Sequence, residues 1–470
     1  MATNSLKQTH STTGRHSLLV DQDTRRVPLI VHHLNAWQYL EYSLYRLLCA
    51  RGREIGDWHD KSFVHKTIWE QTEIVAGLRA RIAQFPGGDP DAPVPAVLED
   101  LVETILTAPD LDHFLEGVFG ILLRSQVKAY AAHATGAHPI HDAPTIQLLH
   151  RINAYKDEQF RWYRAYRRRH PVTLDEAWTT SLTRQIDGLD GLAGIPKARR
   201  DHRAGPVGLR CGFRPVAEPA RETGTMKADF TPYLRSDFDQ SIEARRLFWA
   251  WGYMREKNIP DRMLLWMYDG HFMPFDWHHD VARHMWDESR HGDSGYSRLQ
   301  DWGIGIDEVG FFPYEDGQDT SDPASGRAPV MEPKDIYEAA FDIGLIAETG
   351  HFVVKNEAYE DFREAGDFES AEMMLFDIID EHAHVQYAHK WLPVLAEHAG
   401  IDCTGYKDRA AEIRKDLQAK ADEQLQTWRE LPRDDSQPGW LFYQELLERI
   451  GKATPLNGHE PRRKRHTLPM

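Results

Sequence analysis

Cysteine is scarce in this chain: Cys49, Cys211 and Cys403 are the only three in 470 residues, and they are far apart. None forms a Cys-x-x-Cys pair, which excludes a fused rubredoxin-type iron centre and a dithiol redox motif. So sparse a set fits a reducing cytoplasm rather than a disulfide-built secreted domain. Long apolar runs are missing too. No stretch reaches the roughly 20 residues needed to cross a bilayer, and the N-terminus has no uninterrupted apolar signal core. Apolar and polar residues nowhere alternate over a sustained stretch, so strands are not expected. Basic excess is also absent: the formal net charge is −17, the wrong sign for a phosphate-binding surface, which argues against a nucleic-acid partner. Arg462-Arg463-Lys464-Arg465 is a short exception and reads as a solvated tail.

What is present is helical patterning in a chain long enough for two or three domains. Residues 1–26 are polar and expected to be disordered. Helical segments follow at about 28–51, 57–85, 95–131 and 143–169, separated by turn chemistry such as Pro86-Gly87-Gly88-Asp89-Pro90. These segments define a first bundle over 27–170. A Gly-, Pro- and Arg-rich linker with room for one helix spans 171–226. A second bundle occupies 227–430, including a helix at about 404–429, and a C-terminal helix with the basic tail fills 431–470.

The most informative stretch is Asp287-Glu288-Ser289-Arg290-His291. A Glu and a His three apart on a helix project from one face and can bind one metal ion. The core of the pattern returns at Asp380-Glu381-His382-Ala383-His384. Chance alone supplies about two Glu-x-x-His matches at this composition, so the context decides. In the helix expected over 370–398, Glu381 and His384 fall inside the apolar stripe of Met374, Ile378, Val385, Ala388 and Trp391. Around Trp277, Val281, Leu299 and Trp302 the inward face likewise carries Glu288 and His291. Burying such groups unpartnered costs roughly several kcal/mol, and a cation is the simplest compensation.

Helical spacing offers two further carboxylates. In the helix expected over 335–362, Glu348 completes the stripe of Phe341, Leu345, Phe352 and Tyr359. It stands about as far before the turn Glu364-Ala365-Gly366-Asp367 as Glu381 stands after it, so an antiparallel hairpin sets the two level. In the helix expected over 236–257, capped by Ser236, Glu243 shares a face with Leu247, Ala250 and Met254, with Asp239 in reserve. The segment 258–276, with Pro260 and Pro274, reads as a short crossing helix. His284, one turn before Glu288, and His351, three after Glu348, are candidate extra ligands. An ordinary buried hydrogen-bond or salt-bridge network is the alternative for all of these groups.

Asp-Glu-x-Arg-His, as it stands at 287–291, resembles the ligand motif of ferritin-like di-iron carboxylate enzymes: bacterial multicomponent monooxygenases, plant acyl-carrier desaturases and arylamine N-oxygenases. The match covers about 236–398. The resemblance implies an all-α chain of two tandem ferritin-like four-helix bundles, the first degenerate, plus C-terminal helices. It also implies two Fe ions, with Mn or a mixed pair as alternatives, held by Glu243, Glu288 with His291, Glu348, and Glu381 with His384. Glu348 and Glu381 are the bridging, catalytic candidates. Asp287 and Asp380 occupy the places of residues that orient ligand imidazoles, with Arg290 beside them. Ala383 departs from the pattern where the first motif has Arg290, leaving half of that outer ion network unaccounted for.

The first bundle reads as a relative of the second that keeps carboxylates without imidazoles: Glu41, Glu70, Glu73, Glu116 and Glu158-Gln159-Phe160-Arg161. Arg161 in the place of a ligand His favours an internal salt-bridge cluster. A metal there would have to recruit His65 or His150. The expected function is a cytoplasmic oxygenase or oxidase that activates dioxygen and acts on a small organic substrate. Phe248, Trp249, Leu345, Ile346 and Phe352 are its candidate chamber lining. The resemblance implies an electron-donor protein as partner, and a homodimer is a candidate assembly. Alternatives are a ferroxidase or peroxidase, in which metal or peroxide is the substrate, and a metal-free helical scaffold. Neither the substrate nor the choice of iron over manganese is legible in the sequence.

Overall fold

The computed structural model describes residues 14–196, 205–221, 236, 241–310, 326–430 and 438–453. Every regular element among them is a helix; the one extended pairing is a single bridge between Val216 and Arg327. No helix among the described residues is long and apolar enough to cross a membrane. The chain divides into two compact units, Met1–Leu44 with Glu73–Cys211 and Tyr45–Thr72 with Gly212–Met470.

The first unit takes most of α1 (Gly14–Arg51), the end of α2 (Trp58–Ala83), α3 (Ala96–Leu106), α4 (Leu111–Leu115), α5 (Leu123–Gly136), α6 (Ala143–Arg169) and α7 (Glu176–Asp187). Its core is an ordinary apolar one, built from Leu34, Trp37, Leu40, Val75, Leu78, Leu101 and Leu149. A π-helical turn, Glu116–Leu122, joins α4 to α5.

The second unit comprises the end of α1, the start of α2, α8 (Ile242–Glu256), α9 (Asn258–Asp269), α10 (Phe275–Asp301), α11 (Ile306–Val309), α12 (Pro333–Phe341), α13 (Glu348–Glu364), α14 (Phe368–Ala399), α15 (Tyr406–Glu430) and α16 (Pro438–Ala453). A second π-helical turn, Asp342–Ala347, links α12 to α13. Four members close a ring: α8 packs on α10, α10 on α14, α14 on α12 and α13, and α13 back on α8. Glycine makes the first contact close, since a Cβ at Gly295 would stand 2.3 Å from the Ala250 carbonyl oxygen. The α13–α14 hairpin is fixed by Asp367, whose side chain accepts from the Ser370 N–H, and Gly400 at φ 65° ends α14.

Several expected boundaries move. Helix α1 begins at Gly14, within the segment expected to be disordered. Ser241, not Ser236, caps α8, by accepting from the Ala244 N–H; Asp239 lies outside the described residues. The units divide at Cys211, not at 226, and the linker contains α7. The span 27–170 is not one unit, because 45–72 belongs with the second. There the Tyr45 hydroxyl meets His278 Nδ1 at 2.9 Å, Lys61 pairs with Asp261 at 3.0 Å and Trp69 stacks on Trp286 at 4.4 Å. The basic run 462–465 lies outside the described residues.

Candidate metal centre

Helix α10 brings His284 and Glu288 to one face, α13 adds Glu348 in its first turn, and α14 adds His384. One ligand atom from each lies within 4.8 Å of the other three. All four are buried, at 7, 2, 5 and 1 % exposure. His284 Nε2 stands 3.2 Å from both Glu288 Oε1 and Glu348 Oε1. His384 Nδ1 stands 3.4 and 3.3 Å from the same two oxygens, and the two imidazoles stack at 3.7 Å. A second group adjoins the first: His291 Nδ1 is 3.4 Å from Glu256 Oε2 and 3.3 Å from Asp377 Oδ1. Lys355 enters from α13, its Nζ 2.7 Å from Asp377 Oδ2 and in close contact with Glu381 Oε1.

So many carboxylates in one dry pocket cannot all stay ionised without a cation. Burial, then the charges of Glu348 and Glu256, push the Glu288 carboxyl well above the usual range. Burial, then Glu348 and Asp377, do the same to Glu381. Burial also acts to raise Glu348, but hydrogen bonds from His284 and His384 outweigh it and hold that carboxyl well below normal. Glu256 Oε2, His291 Nδ1, Asp377 Oδ1 and Glu381 Oε2 are buried and make no hydrogen bond among the described residues. Oxygen and imidazole donors brought together in this way could hold a metal ion.

Around these groups lies an outer ring of ions. His384 Nε2 faces Asp287 Oδ2 and His291 Nε2 faces Asp380 Oδ2, each at 3.4 Å and each across to the other helix. A carboxylate on the far nitrogen fixes ring orientation and turns Nδ1 toward the centre. Arg290 joins Asp287 to Asp380, standing 2.6 Å from the latter. Arg283 repeats the link from two turns earlier, with Nε 2.8 Å from Asp287 and Nη2 3.5 Å from Asp380. Both guanidinium groups lie over the Trp286 ring. Arg283 thus supplies a second guanidinium to the Asp287 and Asp380 pair.

Of the expected ligands, Glu288, His291, Glu348, Glu381 and His384 converge, and so does His284. Glu243 does not. It sits in the first turn of α8 against Gly451, its Cγ 3.7 Å from where a Cβ there would be. Thirteen residues of helix, about 20 Å, separate it from Glu256, the carboxylate that α8 does contribute. Gly292 packs on Lys257 and Gly295 on Ala250 and Met254, so His291 is level with the end of α8 and not its start. His351 is exposed and belongs to neither group. Beyond Glu348 the buried stripe of α13 runs through Lys355, Ala358 and Phe362, and Phe352 and Tyr359 are half-buried.

Three residues were missed: Glu256, Asp377 and Lys355. Asp377 had a signal, since it precedes Glu381 by one turn on the same stripe. Lys355 had a weaker one, two turns after Glu348. The chamber is also lined differently than expected. An apolar cavity of about 30 Å³ touches His284 and His384 and is walled by Trp266, Trp277, Tyr387 and Trp391. His291 and Asp377 also line a cleft of about 510 Å³ that carries Asp293, Asp301, Glu369 and Glu372 beside Arg290 and Arg298.

In the first unit, Glu41 is fully buried against Lys156 Nζ at 2.8 Å and accepts from the Tyr130 hydroxyl. Lys156, not Arg161, is the neutralising cation, and Arg161 is exposed. Glu116 accepts from the Tyr163 hydroxyl instead of joining Glu41. Glu70 belongs to the second unit, where it pairs with Lys66 at 3.2 Å. His65 likewise belongs there, with Nδ1 3.0 Å from Ser289 Oγ, and His150 is exposed.

Comparison of the chain with protein-family models, with curated proteins and with solved structures finds no match.

Proposed function

We propose that the protein is a metal-dependent oxidoreductase that activates dioxygen at a pair of iron or manganese ions and acts on a small organic substrate. The observation that carries this reading is the convergence of His284, Glu288, Glu348 and His384 on one buried point, with Glu256, His291 and Asp377 beside it. The first four would hold one ion and the next three a second, with Glu381 adjoining both. The ring of four helices with a Glu-x-x-His on each of two of them supports the likeness to ferritin-like di-iron carboxylate proteins. When bound, such ions supply redox electrons and a binding site for dioxygen.

The protein's own residues set the conditions. Asp287 and Asp380 orient the two imidazoles, and Arg283 and Arg290 keep those carboxylates ionised and in place. Three tryptophans and Tyr387 give the cavity on the His284 and His384 side an apolar wall. At about 30 Å³ it has room for one molecule the size of water or dioxygen, so an organic substrate has to widen it.

A ferroxidase is the second reading, favoured by one observation: the cleft at His291 and Asp377 is acidic and suits an incoming cation. Elemental analysis of the full-length protein, followed by mixing the anaerobically reduced form with O2 and panels of arylamines, fatty acyl groups and amino acids, separates the readings. Oxygen uptake that depends on an organic compound is the expected result. No reaction with metal verified in place overturns the proposal; uptake driven only by excess Fe2+ moves it to ferroxidase.

A further inference from the structure

Lys355 has no place in the ligand pattern, yet its ammonium stands inside the carboxylate cluster. The residue is 1 % exposed. Its Nζ is 2.7 Å from Asp377 Oδ2, contacts Glu381 Oε1, and lies 5.4 Å from the centre of the Tyr253 ring. It therefore claims one oxygen of Asp377 and one of Glu381. The other oxygens of both, with Glu256 Oε2 and His291 Nδ1, make no hydrogen bond among the described residues. Four donors serve the position at His284, Glu288, Glu348 and His384; three serve the position at Glu256, His291 and Asp377.

The two positions differ in charge and in access as well as in donor number. No side-chain ammonium or guanidinium lies within ion-pair distance of the first group among the described residues. At the second, an ammonium already shares Asp377, and two like charges within a few ångströms repel strongly in a dry pocket. The first position borders an apolar cavity, whereas His291 and Asp377 border the acidic cleft.

We infer that Lys355 is a built-in cation that shares the second metal position and makes loading sequential, so that the first ion binds tightly at His284, Glu288, Glu348 and His384 while the second is weak and exchanges through the acidic cleft. The inference rests on the metal-centre reading given above. Lys355 is suited to the role because a lysine is a compact point charge on a flexible stem: it can hold the empty position or swing aside.

The test is a titration of chelator-stripped full-length protein with Mn2+, reading free Mn2+ by electron paramagnetic resonance. Wild type should bind one Mn2+ tightly and a second at least roughly tenfold more weakly. Lys355→Met removes the charge and should bring the second affinity close to the first; Lys355→Arg keeps the charge and should preserve the gap. Asp377→Asn should abolish the second step and spare the first. Circular dichroism and gel filtration check each fold, and Lys355→Gln gives the same reading should the Met variant prove insoluble. Two equally tight ions in wild type, or a gap that Lys355→Met and Lys355→Gln leave unchanged, overturn the role of Lys355 while leaving the metal centre standing. No Mn2+ binding by wild type overturns the metal-centre reading, and this one with it.

Discussion

Each unit buries a lysine against glutamate, but the two settings balance differently. In the first, Lys156 meets Glu41, with Tyr130 and Gln126 completing the hydrogen bonds, and one positive charge answers one negative. In the second, Lys355 faces Asp377 and Glu381 with Glu256 and Glu348 close by, so one ammonium stands among four carboxylates. The first arrangement is a closed ion pair; the second is short of positive charge and leaves donor atoms open. The difference shows that a carboxylate layout does not make a metal site. What matters is whether the protein's own cations already satisfy it.

The comparison breaks most readily through metal content. His384→Ala or Glu288→Ala should remove most of the bound metal measured by elemental analysis, while Glu41→Gln should leave it near the parent value. Comparable loss from the Glu41 variant would place a metal in the first unit. Stability should respond in the opposite way. Lys156→Met strands the Glu41 carboxylate in an apolar core and should cost about 3–5 kcal/mol in chemical denaturation. The double variant Lys156→Met with Glu41→Leu should recover much of that loss, and a double variant no better than the single would show that the pair is not self-contained.

A smaller effect is expected one layer out from the ligands. Asp287→Asn and Asp380→Asn keep shape but weaken the hold on His384 and His291, so metal affinity should drop roughly 10- to 100-fold with the fold intact. Arg283→Ala should weaken affinity in the same direction if it completes the network that Ala383 leaves short; unchanged binding would reduce it to a surface ion pair.

The smallest effect is a pH dependence confined to the first unit. Burial, then the neighbouring His32 and His133, lower the His33 pKa to about 4 from 6.5. In the fold His33 is therefore neutral between these values, whereas the unfolded chain takes up a proton there. Its share of stability is complete above pH 6.5 and is lost as pH falls toward 4. Thermal denaturation at pH 7 and pH 5 should show a smaller difference for His33→Gln than for wild type. An equal difference would remove His33 from the account.

The amino-acid sequence by itself determined the helical class and most of the centre. Apolar spacing placed Glu288, His291, Glu381 and His384 on inward faces, because a 3.6-residue repeat is a local property that any stretch of helix displays. Equal distance from a turn set Glu348 level with Glu381, since a hairpin has one register. Tertiary structure alone decided the rest. Glu256, not Glu243, is the carboxylate of α8 because helices joined through the crossing α9 have no register fixed by the chain, and it is the close approach of Gly292 and Gly295 that sets it. Within α13, Lys355 and His351 both keep helical spacing from Glu348, and only packing against the neighbouring helices decided that Lys355 is buried and His351 exposed. Whether a carboxylate meets a lysine or an open space depends on residues brought together from distant parts of the chain, and that long-range balance of charge is what separates the ion pair of the first unit from the candidate metal centre of the second.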